Sequence, residues 1–179
     1  MTDSMPTLYH FSEQPGIERF EPRPPLADPG QRPFVWAVDA EHAWTYLFPR
    51  DCPRILMWPI ATTSATDRER WFGSAATARL ACIEWEWLQR LRLTRLYRYS
   101  MPPGPFVPHP EEDDAWMFVS TETVRPLAVE PVTGLLQALR QNAVEPRLMP
   151  SLLPLRDAWS SSLHVSGIRL RNAKGWPPD

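Results

Sequence analysis

Histidine and serine recur two residues apart in two short stretches, LYHFS near the start of the chain and LHVSG near its end. Side chains at positions i and i+2 of a strand share a face, so His10 and Ser12 point the same way, as do His164 and Ser166. With Tyr9 beside it, the first pair is suited to hydrogen-bonding a polar ligand at a strand edge. The alternative is a structural histidine bonded to the backbone. Whether both pairs join one site stays open.

A carboxylate follows a later apolar run, in the stretch FVSTETVRPLAVE. Glu122 lies where a strand begins or bends, and a carboxylate at such a place can polarise a hydroxyl group or act as a general base. The alternative is a solvated glutamate in a turn.

Large aromatic side chains are concentrated in FVWAVDAEHAWTYLF, which joins a predicted strand to a predicted helix. Trp36 on the strand is placed to offer a stacking surface. The alternative assigns Trp36, Trp44 and Tyr46 to the core, where aromatic side chains contribute much of the buried area.

Arginines occur in pairs at two places. Arg50 and Arg54 bracket a Pro-Cys loop in FPRDCPRI, and Arg169 and Arg171 share one face of the predicted last strand. An arginine pair can hold a phosphate group through bidentate hydrogen bonds. The alternative is that these are surface arginines on a sheet.

The composition limits the classes of function. A chain of 179 residues with 43% hydrophobic residues fits one folded domain, and a net charge of −2 gives no bulk attraction to nucleic acid or to a membrane. Four histidines without metal-ligand spacing argue against a metal site, and seven glycines argue against a glycine-rich phosphate loop. We expect a small-molecule nucleotide or a protein as the partner. The oligomeric state stays open.

The cysteines and the prolines predict where the chain resides and how its loops are built. The two cysteines, Cys52 and Cys82, show no metal-type spacing, and we expect reduced thiols in a cytoplasmic protein. The start, MTDSMPT, lacks the positive charge of a signal peptide, and no apolar run approaches the roughly 20 residues of a membrane helix. The 22 prolines predict ordered loops. Residues 21–33 and 173–179 are expected to be peripheral.

Predicted strands outnumber predicted helices and do not alternate strictly with them. Asp39 is predicted to cap a helix over AEHAWTYLF that Pro49 stops, and VTGLLQALRQN and LPLRDAWSSS are also predicted to be helical. This pattern favours an α+β fold: a single domain over 1–179, with a mixed, mostly antiparallel sheet that is curved or split and short flanking helices. The predicted strands are 7–11, 34–38, 54–58, 78–85, 94–102, 116–120, 123–131 and 163–172.

A resemblance that spans nearly the whole chain rests on four runs: LYHFSEQPGIERFEPRPP, FVWAVDAEHAWTYLFPRDCPRI, FVSTETVRPLAVEPV and SLHVSGIRLRNA. Together these runs resemble a family of uncharacterised bacterial proteins, short and rich in tryptophan and proline. Membership of that family implies no activity.

A second resemblance covers less of the chain and concerns the fold. Tyr9-His10 is similar to the opening motif of ADP-ribosyltransferase-like domains, in which the histidine holds a ribose of NAD. VWAVD with the helix ending in Ala43-x-x-Tyr46 resembles the second motif, where a tyrosine on the strand stacks on nicotinamide. Glu122 resembles the catalytic glutamate of the third motif. This chain departs from the pattern: Trp36 replaces the stacking tyrosine, Phe11 replaces a glycine, and Glu122 is an isolated acid.

The resemblance implies an NAD-binding domain in which His10 hydrogen-bonds a ribose, Trp36 stacks on a base or nicotinamide, and Glu122 polarises the attacked ribose hydroxyl. The reaction would displace nicotinamide from NAD and transfer ADP-ribose to an acceptor. Related phosphate-handling members use histidine and several arginines, a role open here to the two arginine pairs. The remaining predicted cofactor-binding residues are Tyr9, Ser12, Tyr46, Arg50 and Arg54.

The alternative function belongs to another class, a non-catalytic interaction protein that docks a partner through a tryptophan-rich surface. Tryptophan is favoured as an interface anchor, and the chain has nine. The enzyme hypothesis requires His10, Trp36 and Glu122 to converge on one cavity. The interaction hypothesis requires several tryptophan rings in one exposed patch.

Overall fold

The computed structural model of the protein describes residues 6–24, 30, 32–110 and 116–177. The chain is α+β, as predicted, with two sheets and a few short helices. It divides into two compact units that each use two stretches of sequence. Unit 1 comprises Met1–Tyr46 and Arg95–Val132, and unit 2 comprises Leu47–Thr94 and Thr133–Asp179.

The strands are short and are distributed between both units. In chain order they are β1 (Leu8–Ser12), β2 (Val35–Asp39), β3 (Arg54–Trp58), β4 (Arg79–Glu84), β5 (Leu96–Met101), β6 (Val107–Pro108), β7 (Met117–Ser120), β8 (Ala128–Val132), β9 (Val144–Met149) and β10 (His164–Ile168).

The sheet of unit 1 has the strand order β6-β7-β2-β1-β5-β8, and every neighbouring pair is antiparallel. β1 pairs with β5 along all five of its residues, but with β2 only through Leu8–Asp39 and Tyr9–Val38. The two strands therefore part after Tyr9, and we call this place the β1–β2 split. An apolar cluster covers one face of the sheet and includes Leu8, Val35, Ala37, Tyr99 and Met101.

The sheet of unit 2 has the order β10-β3-β4-β9, antiparallel except for the parallel pair β4–β9. All five residues of β3 are buried, as expected for a nearly continuous apolar run, RILMW, at a central position. The side chains that cover this sheet come from the helical segments, and their cluster includes Trp71, Phe72, Leu152, Leu155 and Ala158.

The helices are short because caps and turn residues bound them closely. Ser64 accepts the Asp67 N–H at the start of the first α-helix, and Gly73 ends it with a positive φ of 50°. The α-helices are α1 (Ala65–Phe72), α2 (Leu88–Leu93) and α3 (Leu135–Gln141), and 3₁₀ helices span Ala43–Tyr46, Trp85–Trp87, Leu153–Ser160 and Leu170–Asn172.

Several predicted elements are shorter than expected, among them the strand predicted at 123–131, which is observed as Ala128–Val132. The helix predicted after Asp39 is a single 3₁₀ turn, Ala43–Tyr46: the Asp39 carboxylate accepts the His42 N–H at 2.7 Å, and Pro49 leaves little room for continuation. The predicted last strand ends at Ile168 rather than at 172. Arg169 adopts a left-handed conformation with a φ of 56° and turns the chain into the Leu170–Asn172 helix.

Some predictions fall on residues that the structure does not describe. These are 25–29 and 31 of the proline-rich loop, the acidic stretch within 111–115, and 178–179 of the tail. Across the described ends of the proline-rich loop, Arg23 and Phe34 exchange two main-chain hydrogen bonds of 3.1 Å. Within the described ranges, no helix combines the length and apolar character needed to cross a membrane.

Candidate functional site

His10 lies at the β1–β2 split and bonds to the main chain across it. Its Nδ1 is 2.8 Å from the carbonyl oxygen of Trp36. A carbonyl only accepts hydrogen bonds, so Nδ1 donates, and Nε2 is the acceptor nitrogen of the neutral ring. The imidazole thus replaces a strand-to-strand hydrogen bond where the β1–β2 pairing has ended. The predicted alternative, a half-buried histidine bonded to the backbone, describes this nitrogen correctly.

Two aromatic residues surround His10 on its own face of the sheet. Tyr99 lies directly opposite His10 in the β1–β5 register and is fully buried. The Phe20 ring is 4.6 Å from the His10 ring, centroid to centroid, and 5.2 Å from the Tyr99 ring. Ser12, two residues along, accepts the Gln14 N–H at 3.0 Å and so shapes the turn that leaves β1. Phe20 was not among the predicted site residues, because its only signal in the sequence is an aromatic residue after the QPG turn.

Trp36 does not share the face of His10. Tyr9 lies opposite Val38, and Trp36 is two residues before Val38, so Trp36 is on the face of Tyr9. Its ring stacks on His109 with centroids 4.9 Å apart and meets Phe34 edge-on at 5.9 Å. The link between His10 and Trp36 is therefore the main-chain hydrogen bond, and the strand geometry does not aim both rings at one ligand.

Tyr9 and Tyr46, both predicted as binding residues, are brought together by Phe11 on the opposite face of the sheet. The planes of Phe11 and Tyr46 lie within 9° of parallel with centroids 6.4 Å apart, and Tyr9 meets Phe11 edge-on. The Arg98 guanidinium lies 4.7 Å from the centre of the Tyr9 ring and bonds Glu130 at 2.6 Å. All of these rings are partly exposed. The result is an aromatic surface with one cation beside it.

Glu122 is exposed, two residues beyond the end of β7. Its N–H donates to the Ser120 hydroxyl at 3.1 Å, which fixes a tight turn. Two residues later Val124 exchanges main-chain hydrogen bonds of 2.8 and 2.9 Å with Phe20, the residue that packs on His10. The segment that follows Glu122 is therefore paired with the residue that packs on His10.

The predicted arginine pairs belong to unit 2, whereas His10 belongs to unit 1. Arg54 is only 2% exposed: it donates to the Cys52 carbonyl at 3.0 Å and its guanidinium lies 5.0 Å from the Phe48 ring centre. Arg169 donates through Nε to the Arg50 carbonyl at 3.3 Å. The prediction that Arg169 and Arg171 share a strand face is wrong, because β10 ends before both.

The second histidine–serine pair has a different environment. His164 lies directly opposite Trp58 in the β10–β3 register, and their rings stack with centroids 4.0 Å apart. Ser166 is opposite Leu56 in the same ladder. These residues belong to unit 2, so they are part of a different compact unit from His10.

Unit 2 also buries a carboxylate that the sequence analysis did not single out. Glu84 is fully buried at the end of β4, and it accepts the main-chain N–H groups of Leu152 at 3.3 Å and Lys174 at 3.0 Å. Burial raises the pKa of both thiols, Cys52 and Cys82, to about 12, which outweighs the lowering by nearby arginines. Neither cysteine is a thiolate nucleophile at neutral pH.

The tryptophans divide between buried and exposed positions. Trp44, Trp58, Trp71 and Trp116 are buried. The most exposed rings are Trp85, at 56%, and Trp159, at 46%, and Trp159 has Trp176 as a neighbour with ring centroids 6.1 Å apart.

Comparison with known proteins gives one match. A family model described as a family of unknown function (DUF6886) matches residues 9–173. No curated protein matches the chain, and no solved structure matches it. In the part of the chain that the structure describes, no three histidine, cysteine or acidic side chains gather as ligands for a metal ion.

Proposed function

The chain belongs to the DUF6886 family, and we propose that it is a nucleotide-binding, ADP-ribosyltransferase-like protein whose site lies in unit 1 at the β1–β2 split. NAD is the proposed ligand. The observation that carries the proposal is the hydrogen bond from His10 Nδ1 to the Trp36 carbonyl. It holds the ring in one tautomer and orientation, so that Nε2 is the nitrogen that accepts a ribose hydroxyl.

The proposed roles follow from the positions of the side chains. His10 accepts from a ribose hydroxyl, and Glu122, whose segment is tied to Phe20, polarises the hydroxyl of the attacked ribose. The aromatic surface of Phe11 and Tyr46 lies on the other face of the same strand, the face of Trp36, and has no role in the ligand site at His10. The reaction breaks the bond between nicotinamide and ribose and joins ADP-ribose to an acceptor nucleophile.

Trp36, Arg50 and Arg54 are left out of this proposed site. Trp36 is occupied by His109 on the far face, and Arg54 is buried in unit 2 with the Cys52 carbonyl as its partner. The Arg50 carbonyl accepts from Arg169, and the proposal gives the Arg50 side chain no role. The requirement that His10, Trp36 and Glu122 converge on one cavity is therefore not met, and the proposal keeps only His10 and Glu122 of that set.

Two substitutions of His10 test the roles of its two ring nitrogens separately. In His10→Asn the amide N–H takes the place of Nδ1 and keeps a donor for the Trp36 carbonyl, but nothing replaces Nε2. In His10→Gln the longer side chain presents an acceptor near the Nε2 position but loses the Nδ1 donor. These variants are a matched pair, since each keeps one half of the imidazole's hydrogen bonding.

We expect His10→Asn to weaken NAD binding about 10-fold, the value of one hydrogen bond of about 1.4 kcal/mol, while leaving the urea midpoint close to that of the wild type. His10→Gln should retain binding but lose about 1–2 kcal/mol of stability, because the Trp36 carbonyl loses its donor. Binding is measured by calorimetric titration with NAD and by tryptophan fluorescence. Wild-type protein that does not bind NAD, or His10→Asn protein that binds it equally well, would contradict the proposal.

A further inference from the structure

The segment that leaves β1 folds back over His10, and Tyr99 holds it there. The Tyr99 hydroxyl donates to the Gln14 carbonyl at 2.7 Å and accepts the Ile17 N–H at 3.1 Å. The turn between these two residues contains Gly16 at a φ of 68°, a backbone conformation that glycine adopts without strain. One fully buried oxygen therefore joins both ends of the turn.

Closing this turn determines where Phe20 lies. On one side the Phe20 ring packs on the rings of His10 and Tyr99. On the other side the Phe20 main chain pairs with Val124, beyond Glu122. Phe20 is half-buried, so part of this residue is accessible to solvent. Trp36, by contrast, is on the opposite face of the sheet.

We propose that Phe20 is the ring that contacts the nucleoside bound at His10, and that Tyr99 is the positioning residue that holds Phe20 in place through its hydroxyl. The inference rests on the proposed function and adds the residue that recognises the ring next to the ribose. A turn that is closed before the ligand arrives loses less conformational entropy on binding, so the hydroxyl raises affinity without touching the ligand.

Three variants test this inference. Tyr99→Phe removes only the hydroxyl, and Phe20→Leu removes the aromatic ring but keeps an apolar side chain. Tyr97→Phe is the matched control, since Tyr97 lies on the same strand and face, opposite Ser12. Nuclear magnetic resonance on the free protein follows the Ile17 amide and the ring protons of His10, which are assigned by their loss in His10→Asn.

In the free protein, Tyr99→Phe should speed hydrogen exchange at the Ile17 amide and shift the His10 ring protons, because the ring current of Phe20 moves. Tyr97→Phe should do neither. With NAD, Tyr99→Phe and Phe20→Leu should each weaken binding about 3- to 10-fold, the range of one aromatic contact, while Tyr97→Phe binds as the wild type does.

The outcomes separate the two proposals. Wild-type protein that fails to bind NAD overturns the proposed function and this inference together. Wild-type binding that both Tyr99→Phe and Phe20→Leu leave unchanged overturns this inference alone, even if the His10 resonances shift. An Ile17 amide that exchanges equally slowly in Tyr99→Phe shows that the hydroxyl does not hold the turn, and overturns the positioning role.

Discussion

The two histidine–serine strands look alike in sequence but are built into the protein differently. In unit 2, the ladder between β10 and β3 continues through all five residues, and His164 stacks on the tryptophan opposite it. In unit 1, the ladder between β1 and β2 stops at Tyr9, and the next side chain, His10, bonds the carbonyl that the ladder leaves. A histidine in an intact ladder packs, whereas a histidine at a split joins the two diverging strands through a side-chain hydrogen bond.

The two glutamates near strand ends differ in the same way. Glu84 in unit 2 is fully buried, and both of its recorded partners are main-chain N–H groups of the fold. Glu122 in unit 1 is exposed, and only its backbone is tied down. A buried carboxylate that accepts main-chain hydrogen bonds contributes to stability. An exposed carboxylate on a fixed turn can instead contact a ligand. Under the proposed function, the catalytic carboxylate is the exposed one, in unit 1.

The largest expected effect is on catalysis by Glu122. Under the proposed function, Glu122→Gln should reduce the rate of nicotinamide release from NAD by about 10²- to 10⁴-fold, because the neutral amide cannot polarise the ribose hydroxyl. Affinity for NAD and the urea midpoint should change little. The measurement is chromatographic detection of nicotinamide, with Glu130→Gln as an exposed control. A variant that releases nicotinamide at the wild-type rate would return Glu122 to the role of a solvated turn residue.

Glu84 should show the opposite behaviour. Glu84→Ala leaves two main-chain N–H groups without an acceptor and should lower the free energy of unfolding by about 2–4 kcal/mol. Glu84→Gln keeps one carbonyl acceptor and should lose less. Both are measured by urea denaturation, and NAD affinity should be unchanged while the protein is folded. A loss below about 1 kcal/mol for Glu84→Ala would show that this buried carboxylate is not what holds the residues around Leu152 and Lys174.

His164 provides the direct control for His10. His164→Ala removes the stack on Trp58 and should cost about 0.5–1.5 kcal/mol of stability without altering NAD binding. His10→Asn should do the reverse. If removing His164 weakened NAD binding as much as changing His10, the division of roles between the two strands would be wrong.

The strands were largely predictable, but their faces were not. FVWAV, residues 34–38, was predicted to be a strand because it is a continuous apolar run, and all but its first residue lie in β2. Which way Trp36 points depends on the register with β1, and that register is set by contacts remote in sequence. Glu84 was missed for a related reason: its partners lie 68 and 90 residues away in the chain.

The predicted ends of secondary-structure elements were wrong where a single residue changes the direction of the chain. Arg169 in a left-handed conformation ends β10, and nothing about an arginine predicts that conformation. The candidate site had the same limit. His10 and Glu122 were identified by residue type and position, but Phe20 and Tyr99 become relevant only when the turn after β1 closes over the sheet.

The smallest expected effect is the pH dependence of stability that Asp67 gives to unit 2. The hydroxyl and then the N–H of Ser162 bond the Asp67 carboxylate, at 2.7 and 2.8 Å, and hold its pKa below the ordinary value of 3.8. A lowered pKa in the folded state means that the unfolded chain takes up the proton first as pH falls. The contribution of Asp67 to stability is therefore complete well above pH 3.8 and is lost as pH falls through the lower folded value.

Asp67→Asn removes this titration. The variant should be less stable than the wild type at neutral pH, and the difference should shrink as the pH falls below 3.8, where the wild-type carboxylate becomes protonated. This stability difference is measured from urea midpoints at pH values from about 3 to about 7. Asp157→Asn is the control, because Asp157 is an exposed carboxylate in unit 2. A constant difference across this range would mean that the Ser162 contacts stabilise the fold through their geometry rather than through the charge of Asp67. The ionisation of this carboxylate would then contribute nothing to the stability of unit 2.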